Sequence, residues 1–283
     1  FAALEPSGAW EILAHRILWT LVVCVLVLLV RRDLAWIRPF VARRRLVGGI
    51  TVAALLIAGN WVIYVLAVLT GRTYEAALGY FLNPIVTVGL GVLVLHERLR
   101  PLQWAAVAVG AVASVYLAVA GGVLPWISLS LAFSFALYGL VKKKLGASLE
   151  AMHSLAAETA VLAPVAVVVL GVLAAQGSTT FAGHGVPHTT LLVLAGVVTA
   201  IPLLLFAAAA RRIPLVTVGL LQFITPMLQL IVAVALLGEH VSGRLWVGFG
   251  IVWVALAMLT VDSLRASHAA RVDRRNLPPE PCP

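Results

Sequence analysis

The chain has 283 residues, of which 62% are hydrophobic and only 11% are charged. At a mean hydropathy of +1.07 it holds more apolar side chain than a water-soluble globule of this size can bury, and the same figures exclude disorder. The net charge of +9 then points to lysines and arginines beside anionic lipid rather than to nucleic acid, and two cysteines, one in an apolar run and one in a proline-rich tail, do not make a disulfide scaffold.

A membrane-spanning helix needs about 20 mostly apolar residues. Nine segments qualify in chain order: about 10–30, 46–70, 74–95, 102–120, 124–141, 149–175, 190–210, 214–237 and 245–263. They predict an all-α membrane protein, a multi-span helical bundle with no connection long enough for a separate domain. The tail from Leu264 onward turns polar and ends in Pro278, Pro279, Pro281 and Pro283, so 264–283 is expected to be disordered.

Charge placement tests this layout, because each helix crossed changes the side. The connections 31–45, 96–101, 142–148 and 211–213, with the C-terminal tail, hold 17 of the 20 Lys/Arg; the opposite connections hold Arg72 and Arg244, and Arg16 falls inside the first span. Positively charged connections stay on the cytoplasmic side. The tail is therefore expected in the cytoplasm and residues 1–9 outside.

The chain also repeats itself. Phe81, Pro84, Glu97 and Trp104 recur 142 residues later as Phe223, Pro226, Glu239 and Trp246. On this offset 10–30 mirrors 149–175, 46–70 mirrors 190–210, 74–95 mirrors 214–237 and 102–120 mirrors 245–263. The partner of 124–141 would fall before Phe1, so a first helix of ten is expected to be missing here. Residues 1–120 form one half and 121–263 the other. Five helices per half is an odd number, so the halves enter the membrane from opposite sides. Inverted repeats recur in secondary transporters, with the solute bound near the midplane where the halves meet.

The segments Glu11–Arg16 (Glu-Ile-Leu-Ala-His-Arg), Gly59-Asn60-Trp61, Glu75–Pro84 (Glu-Ala-Ala-Leu-Gly-Tyr-Phe-Leu-Asn-Pro) and Ala132–Leu140 resemble the RarD branch of the EamA family, in the drug/metabolite transporter superfamily. The resemblance spans nearly the whole chain, and the Glu75–Pro84 block is its most specific part. It implies ten helices in two inverted halves, a place in the bacterial inner membrane, and export of small metabolites or drugs; the inverted repeat itself makes alternating access the expected mechanism. The resemblance supplies no substrate.

Ionisable groups inside a bilayer are costly, about 2.5–3.5 kcal/mol at a helix centre on insertion scales, so the few present mark candidate sites. Glu11 and His15 share one helix face, and Arg16 lies about 7.5 Å deeper than Glu11. Together they suit a vestibule for a zwitterionic or anionic solute, although Arg16 can also snorkel to outer headgroups. Glu158 lies nine residues beyond Leu149, about 13 Å into its span, and is the repeat mate of Arg16. That relation suggests either an ion pair between the halves or a carboxylate that binds solute or a proton. Glu75 stands in the first turn of its helix, where the dipole favours a carboxylate, and is also a candidate for the cavity wall.

Polar and aromatic side chains mark the rest of the expected cavity: Asn60, Trp61 and Tyr64; Tyr80 and Asn83; Ser134 and Tyr138; Gln222 and Thr225. Such faces suit an aromatic or amphipathic solute, or hydrogen bonding between helices. Pro84 and Pro226 are symmetry-related helix breakers and a candidate hinge pair, with Pro202 a third, level with Asn60. Glu97 and Glu239 fall before helix starts, and Trp10, Trp36, Trp104, Trp126 and Trp246 near helix ends as interfacial anchors. Ala106, Gly110 and Ser114 form a small-residue stripe suited to close helix packing, in this chain or in a homodimer.

The competing classes are a membrane enzyme and a channel. His96-Glu97 lacks the second histidine of a zinc site, and no Cys/His cluster, nucleophile elbow or phosphate loop occurs, so neither enzyme chemistry nor a metal or cofactor is expected. Asn83-Pro84-Ile85 faintly resembles a water-channel motif, but its mate reads Thr225-Pro226-Met227. A channel-like facilitator is the alternative to a carrier.

Overall fold

The computed structural model describes residues 4, 6–120, 126–181, 183–225, 227, 228, 231 and 243–276. Every regular element among them is helical: α1 (Ala9–Val30), α2 (Ile37–Ala42), α3 (Arg44–Leu69), α4 (Thr73–Leu95), α5 (Pro101–Ala120), α6 (Trp126–Leu145), α7 (Ala151–Ala175), α8 (Gly185–Arg212), α9 (Leu215–Leu221) and α10 (Gly243–Asn276). Hydrocarbon offers no hydrogen bonds, so a long apolar segment pairs its backbone with itself and becomes helix. Six of these helices are long and apolar enough to span a membrane, namely α1, α3, α4 from Glu75, α5, α7 and α8, while α10 carries the shorter apolar stretch Trp246–Asp262.

The differences from expectation have local causes. The span expected at 124–141 runs to Leu145 because Lys142, counted as part of a loop, is a buried member of α6. The basic connection 31–45 contains the short α2. Helix α10 continues to Asn276, so 264–276 is helical where disorder was expected. Leu, Ala and Arg in that stretch are good helix formers, and no proline occurs before Pro278. Of the segment 214–237 the described part is α9 and a few residues after it. The candidate hinge proline Pro226, Glu239 and the end of the tail lie outside the described residues.

Helix ends are closed by the backbone. At the end of α3, Gly71 adopts φ +70° and Arg72 N–H reaches back to the Ala67 carbonyl at 2.7 Å. Gly177 at φ +67° does the same after α7, with Ser178 N–H on the Leu173 carbonyl. Both are left-handed helix caps, a conformation glycine adopts without steric cost.

Contacts between helix ends sort the connections onto two sides. At one end Asp33 meets His153, Lys143 donates to the Ile213 carbonyl, Glu97 accepts from Leu215 and Val216 N–H, and Arg100 pairs with Asp262. Glu97 thus holds the start of α9, not the start of α5 as expected. At the other end Glu11 accepts from Thr180, Arg72 pairs with Glu75, and Ser128 donates to the Glu75 carbonyl. The described basic connections therefore gather at one end of the bundle.

Four apolar clusters lie in the interior among the described residues, and two of them are large. One draws on α1, α3, α6 and α7 and includes Ile50, Ala53, Tyr138 and Ala166. The other draws on α4, α5, α9 and α10 and includes Leu78, Phe81, Val88, Phe223 and Val252. Each core takes residues from both halves of the chain, so the halves interlock. Small residues allow the closest crossings. A Cβ on Gly196 in α8 would fall 2.6 Å from the Trp19 carbonyl carbon and 2.7 Å from Thr20 N in α1, where Thr20 Oγ1 donates to the Gly196 carbonyl. The stripe of Ala106, Gly110 and Ser114 is also used inside the chain, not as a free dimer face: Ala106 is fully buried, a Cβ on Gly110 would meet the Phe223 ring, and Ser114 donates to the Phe81 carbonyl.

Because backbone rather than a flexible side chain opposes Gly196, Gly196→Ala is expected to force α1 and α8 apart at a cost of about 1–3 kcal/mol. Gly48→Ala, with nothing within 4 Å of the added carbon, is expected to be neutral. Unfolding of the two purified variants in detergent measures the difference.

Candidate functional site

Helices α3, α4, α6 and α8 and the end of α9 leave a cavity of about 290 Å³ between them, just below the usual range for small-molecule sites. Asn60 lies nine residues before the end of α3 and Asn83 ten residues into α4, which puts both about 14 Å from the helix ends and near the middle of a 30 Å hydrocarbon layer. Four rings (Tyr64, Tyr80, Phe135 and Phe206) and four polar side chains (Asn60, Asn83, Gln222 and Thr225) line it, with Pro202, Leu131 and Leu203. Seven residues expected from the sequence therefore meet in one place. Four pairs of lining residues, Asn60 with Pro202, Tyr64 with Phe206, Tyr80 with Gln222 and Asn83 with Thr225, are separated by the 142-residue repeat offset.

The polar groups form a short network. Asn60 Nδ2 donates to the Leu131 carbonyl and to Ser134 Oγ, both at 2.9 Å, which fixes α3 against α6. Ser134 thus supports the wall through Asn60. Asn83 Nδ2 donates to Gln222 Oε1 at 3.1 Å, and Thr87 Oγ1 adds a longer contact to the same oxygen at 3.3 Å. Gln222 Nε2 is buried with no partner among the described residues. An unpaired buried amide nitrogen costs about 1–3 kcal/mol, a cost that an acceptor atom on a bound solute would remove.

Local backbone chemistry shapes this region. Pro84 sits inside α4 and Pro202 inside α8; each lacks the N–H that would pair with the carbonyl four residues earlier, those of Tyr80 and Val198. After α9 the bonds tighten to three-residue spacing, with Phe223 N–H on the Leu220 carbonyl and Thr225 N–H on that of Gln222. The chain thus turns where Gln222 enters the cavity.

A second, more open space of about 530 Å³ adjoins the first and shares Phe135, Pro202 and Leu203 with it. Arg16 and Trp61 lie in its wall. Arg16 Nε donates to Thr199 Oγ1 at 2.9 Å, and the guanidinium carbon stands 5.0 Å from the Trp61 ring centroid, a cation–π contact.

An ion pair between the repeat mates Arg16 and Glu158, one of the two readings of Glu158, is not formed. Glu158 binds Lys142 Nζ at 2.6 Å and Ser154 Oγ at 2.8 Å through Oε1, and accepts from Tyr138 through Oε2 at 3.1 Å. Lys142 also donates to Ser154 at 2.7 Å, and Glu158, Lys142 and Tyr138 are all buried. Glu158 and Tyr138 therefore belong to a closed network between α6 and α7, outside the cavity lining. The sequence reading missed Lys142 because three adjacent lysines at a helix end look like a cytoplasmic loop. The signal that identifies it is Ser154 and Glu158, four apart on one face of the next helix.

The remaining candidates act at the far end. Glu75 is bound by Arg72 through Nε at 2.6 Å and Nη2 at 3.0 Å, clear of the cavity lining. His15 stacks on Phe181 with ring centroids 4.7 Å apart, and Glu11 is held by the Thr180 backbone N–H at 2.7 Å and hydroxyl at 2.9 Å. At the basic end Asp33, Glu150 and His153 bring ligand-type atoms within 4.8 Å of one another, the only such group among the described residues. There His153 already bonds Asp33 at 2.7 Å and stacks on Trp36, a contact that ties the α1–α2 turn to α7.

A buried ion pair is destabilised most by losing one partner. Lys142→Met is expected to cost about 3–5 kcal/mol by stranding Glu158, while the double variant Lys142→Met with Glu158→Leu recovers most of that loss. Chemical unfolding of the two proteins tests the coupling.

The model of the EamA-like transporter family matches residues 124–261. The chain is 50% identical over 268 residues to "Protein RarD" of Streptomyces exfoliatus, covering 95% of this chain and 84% of that protein. It is 38% identical to "Protein RarD" of Escherichia coli K12, over 93% of this chain and 88% of the relative. It is 39% identical to "Uncharacterized transporter YojE" of Bacillus subtilis, over 95% and 90% of the two chains. A solved structure titled only "Crystal structure of protein" shares the fold at a TM-score of 0.69 and 16% identity, covering 92% of this chain and 91% of that one.

Proposed function

We propose that this chain, which belongs to the RarD branch of the EamA family of membrane transporters, works as a secondary transporter that exports a small metabolite or drug across the bacterial inner membrane by alternating access. The observation that carries this reading is the central cavity, whose walls pair residues 142 positions apart and whose Gln222 amide nitrogen has no protein partner among the described residues. A site built from matching positions of two oppositely threaded halves has two arrangements of similar energy, one open to each side.

The neighbour relations support the two-fold reading. Repeat mates pack on each other, α1 on α7, α4 on α9 and α5 on α10, and the contact of α1 with α8 has its counterpart in that of α3 with α7. In this reading Pro84 and Pro202 soften α4 and α8 beside the cavity, so that either gate opens by bending at depth. The rings receive an aromatic or amphipathic body, and the amides of Asn83 and Gln222 orient its polar atoms. Glu158, neutralised by Lys142, holds α6 to α7 and takes no part in binding. The gathered basic connections face the cytoplasm with the C-terminal helix end, as positive charge retained beside anionic lipid requires.

Transport is tested by comparing the metabolites released by cells with and without the protein, then following the responding solute into proteoliposomes. Saturable flux stimulated by unlabelled solute on the far side is expected; flux linear in the gradient is the mark of a pore and overturns alternating access. Gln222→Leu and Tyr80→Ala are each expected to weaken apparent affinity about tenfold with unchanged membrane insertion. Arg38→Cys and Ala147→Cys are both expected to react with an impermeant thiol reagent from the cytoplasmic side only.

A further inference from the structure

Charges inside the bundle are compensated with one exception among the described residues. Lys142 pairs with Glu158, Arg72 with Glu75 and Arg100 with Asp262, while Glu11 takes two hydrogen bonds from Thr180. Arg16 has no carboxylate within salt-bridge range among the described residues, although it sits seven residues into α1, about 10 Å from the helix start. Its partners are neutral: Thr199 takes the Nε–H and the Trp61 face takes part of the charge. The Nη groups, the fork that grips a carboxylate in two places, make no hydrogen bond among the described residues. Thr199 is itself fixed by donating to the Ala195 carbonyl at 2.7 Å, so the guanidinium is held in one orientation beside a space of about 530 Å³.

An uncompensated cation at this depth is costly and rare. Its repeat mate Glu158 shows the contrast: the same position in the other half carries a charge whose counter-ion comes from the neighbouring helix. Building on the cavity reading above, we infer that the counter-ion of Arg16 is the solute itself, and that the transported class is a small organic monoanion with an aromatic or branched apolar body. The carboxylate engages the Arg16 fork, and the body passes the shared wall of Phe135, Pro202 and Leu203 to lie among Tyr64, Tyr80 and Phe206. Trp61 shields the cation in the empty state.

The probe set is indole-3-acetate, its neutral amide indole-3-acetamide, and the cation tryptamine, each labelled and bound to the purified full chain in phosphatidylcholine nanodiscs. The acid is expected to bind about tenfold more tightly than the amide, with the amine weakest. Arg16→Gln is expected to remove the acid–amide difference, and Arg16→Lys, which keeps the charge and loses the fork, to retain only part of it. Equal binding of acid and amide by the unaltered protein overturns the anion assignment and leaves the cavity reading standing, a result that needs no variant to fold. No saturable binding of any of the three overturns both. If the unaltered protein instead retains phosphatidylglycerol in an Arg16-dependent way and shows no acid preference, the guanidinium serves a lipid phosphate and the inference fails.

Discussion

A hydrocarbon interior contains nothing that can replace water as a hydrogen-bond partner, and most features of this molecule follow from that. The backbone satisfies itself by coiling into helices, and several helix ends among the described residues are closed by backbone caps, as at Arg72 and Ser178, or by a neighbouring carboxylate, as Glu97 does for α9. Polar side chains that point inward find partners within the bundle: Thr20 on the Gly196 carbonyl, Ser114 on the Phe81 carbonyl, Asn60 on α6, Glu158 on Lys142. Against that background a group without a partner stands out, and two among the described residues fall beside adjoining cavities: the buried Gln222 amide nitrogen and the partly exposed Arg16 fork.

Packing and function are set by different residue types. Glycine lets α1 approach α8 closely enough for backbone contact, and lets the Leu117 side chain of α5 seat against the backbone of α10 at Gly248. The cavity arises where α3, α4, α6 and α8 present rings and amides, and prolines interrupt α4 and α8. The Lys142–Glu158 pair holds α6 to α7 beside this space. Its burial is tolerated because Ser154 and Tyr138 complete the hydrogen bonds that the ions lose on leaving water.

Several side chains that line the candidate cavity were legible before any fold was known. Asn60, Tyr64, Tyr80, Asn83, Gln222 and Thr225 are identifiable because a polar side chain in an apolar span needs a reason to be there, and the repeat offset links positions far apart in the chain. The role of Glu158 was not legible, because its partner Lys142 belongs to a basic run that reads as loop, and only the packing of α6 on α7 brings the lysine into the interior. Glu97 was misread for a similar reason: a carboxylate near one helix start was assigned to it, whereas the chain folds so that another helix start lies closer. The small-residue stripe marked a close contact correctly without saying which helix would fill it.

Sequence alone determined the solvent of this protein, the helical character of its long apolar segments, the position of its basic residues between them, and the recurrence of its polar breaks along the chain. Those are properties of composition and spacing, which survive without coordinates because transfer into lipid acts on each segment separately. Tertiary structure decided which charges are neutralised and which is left open. Ion pairing depends on separations such as the 2.6 Å between Lys142 and Glu158 on neighbouring helices, and spacing along the chain does not set those distances.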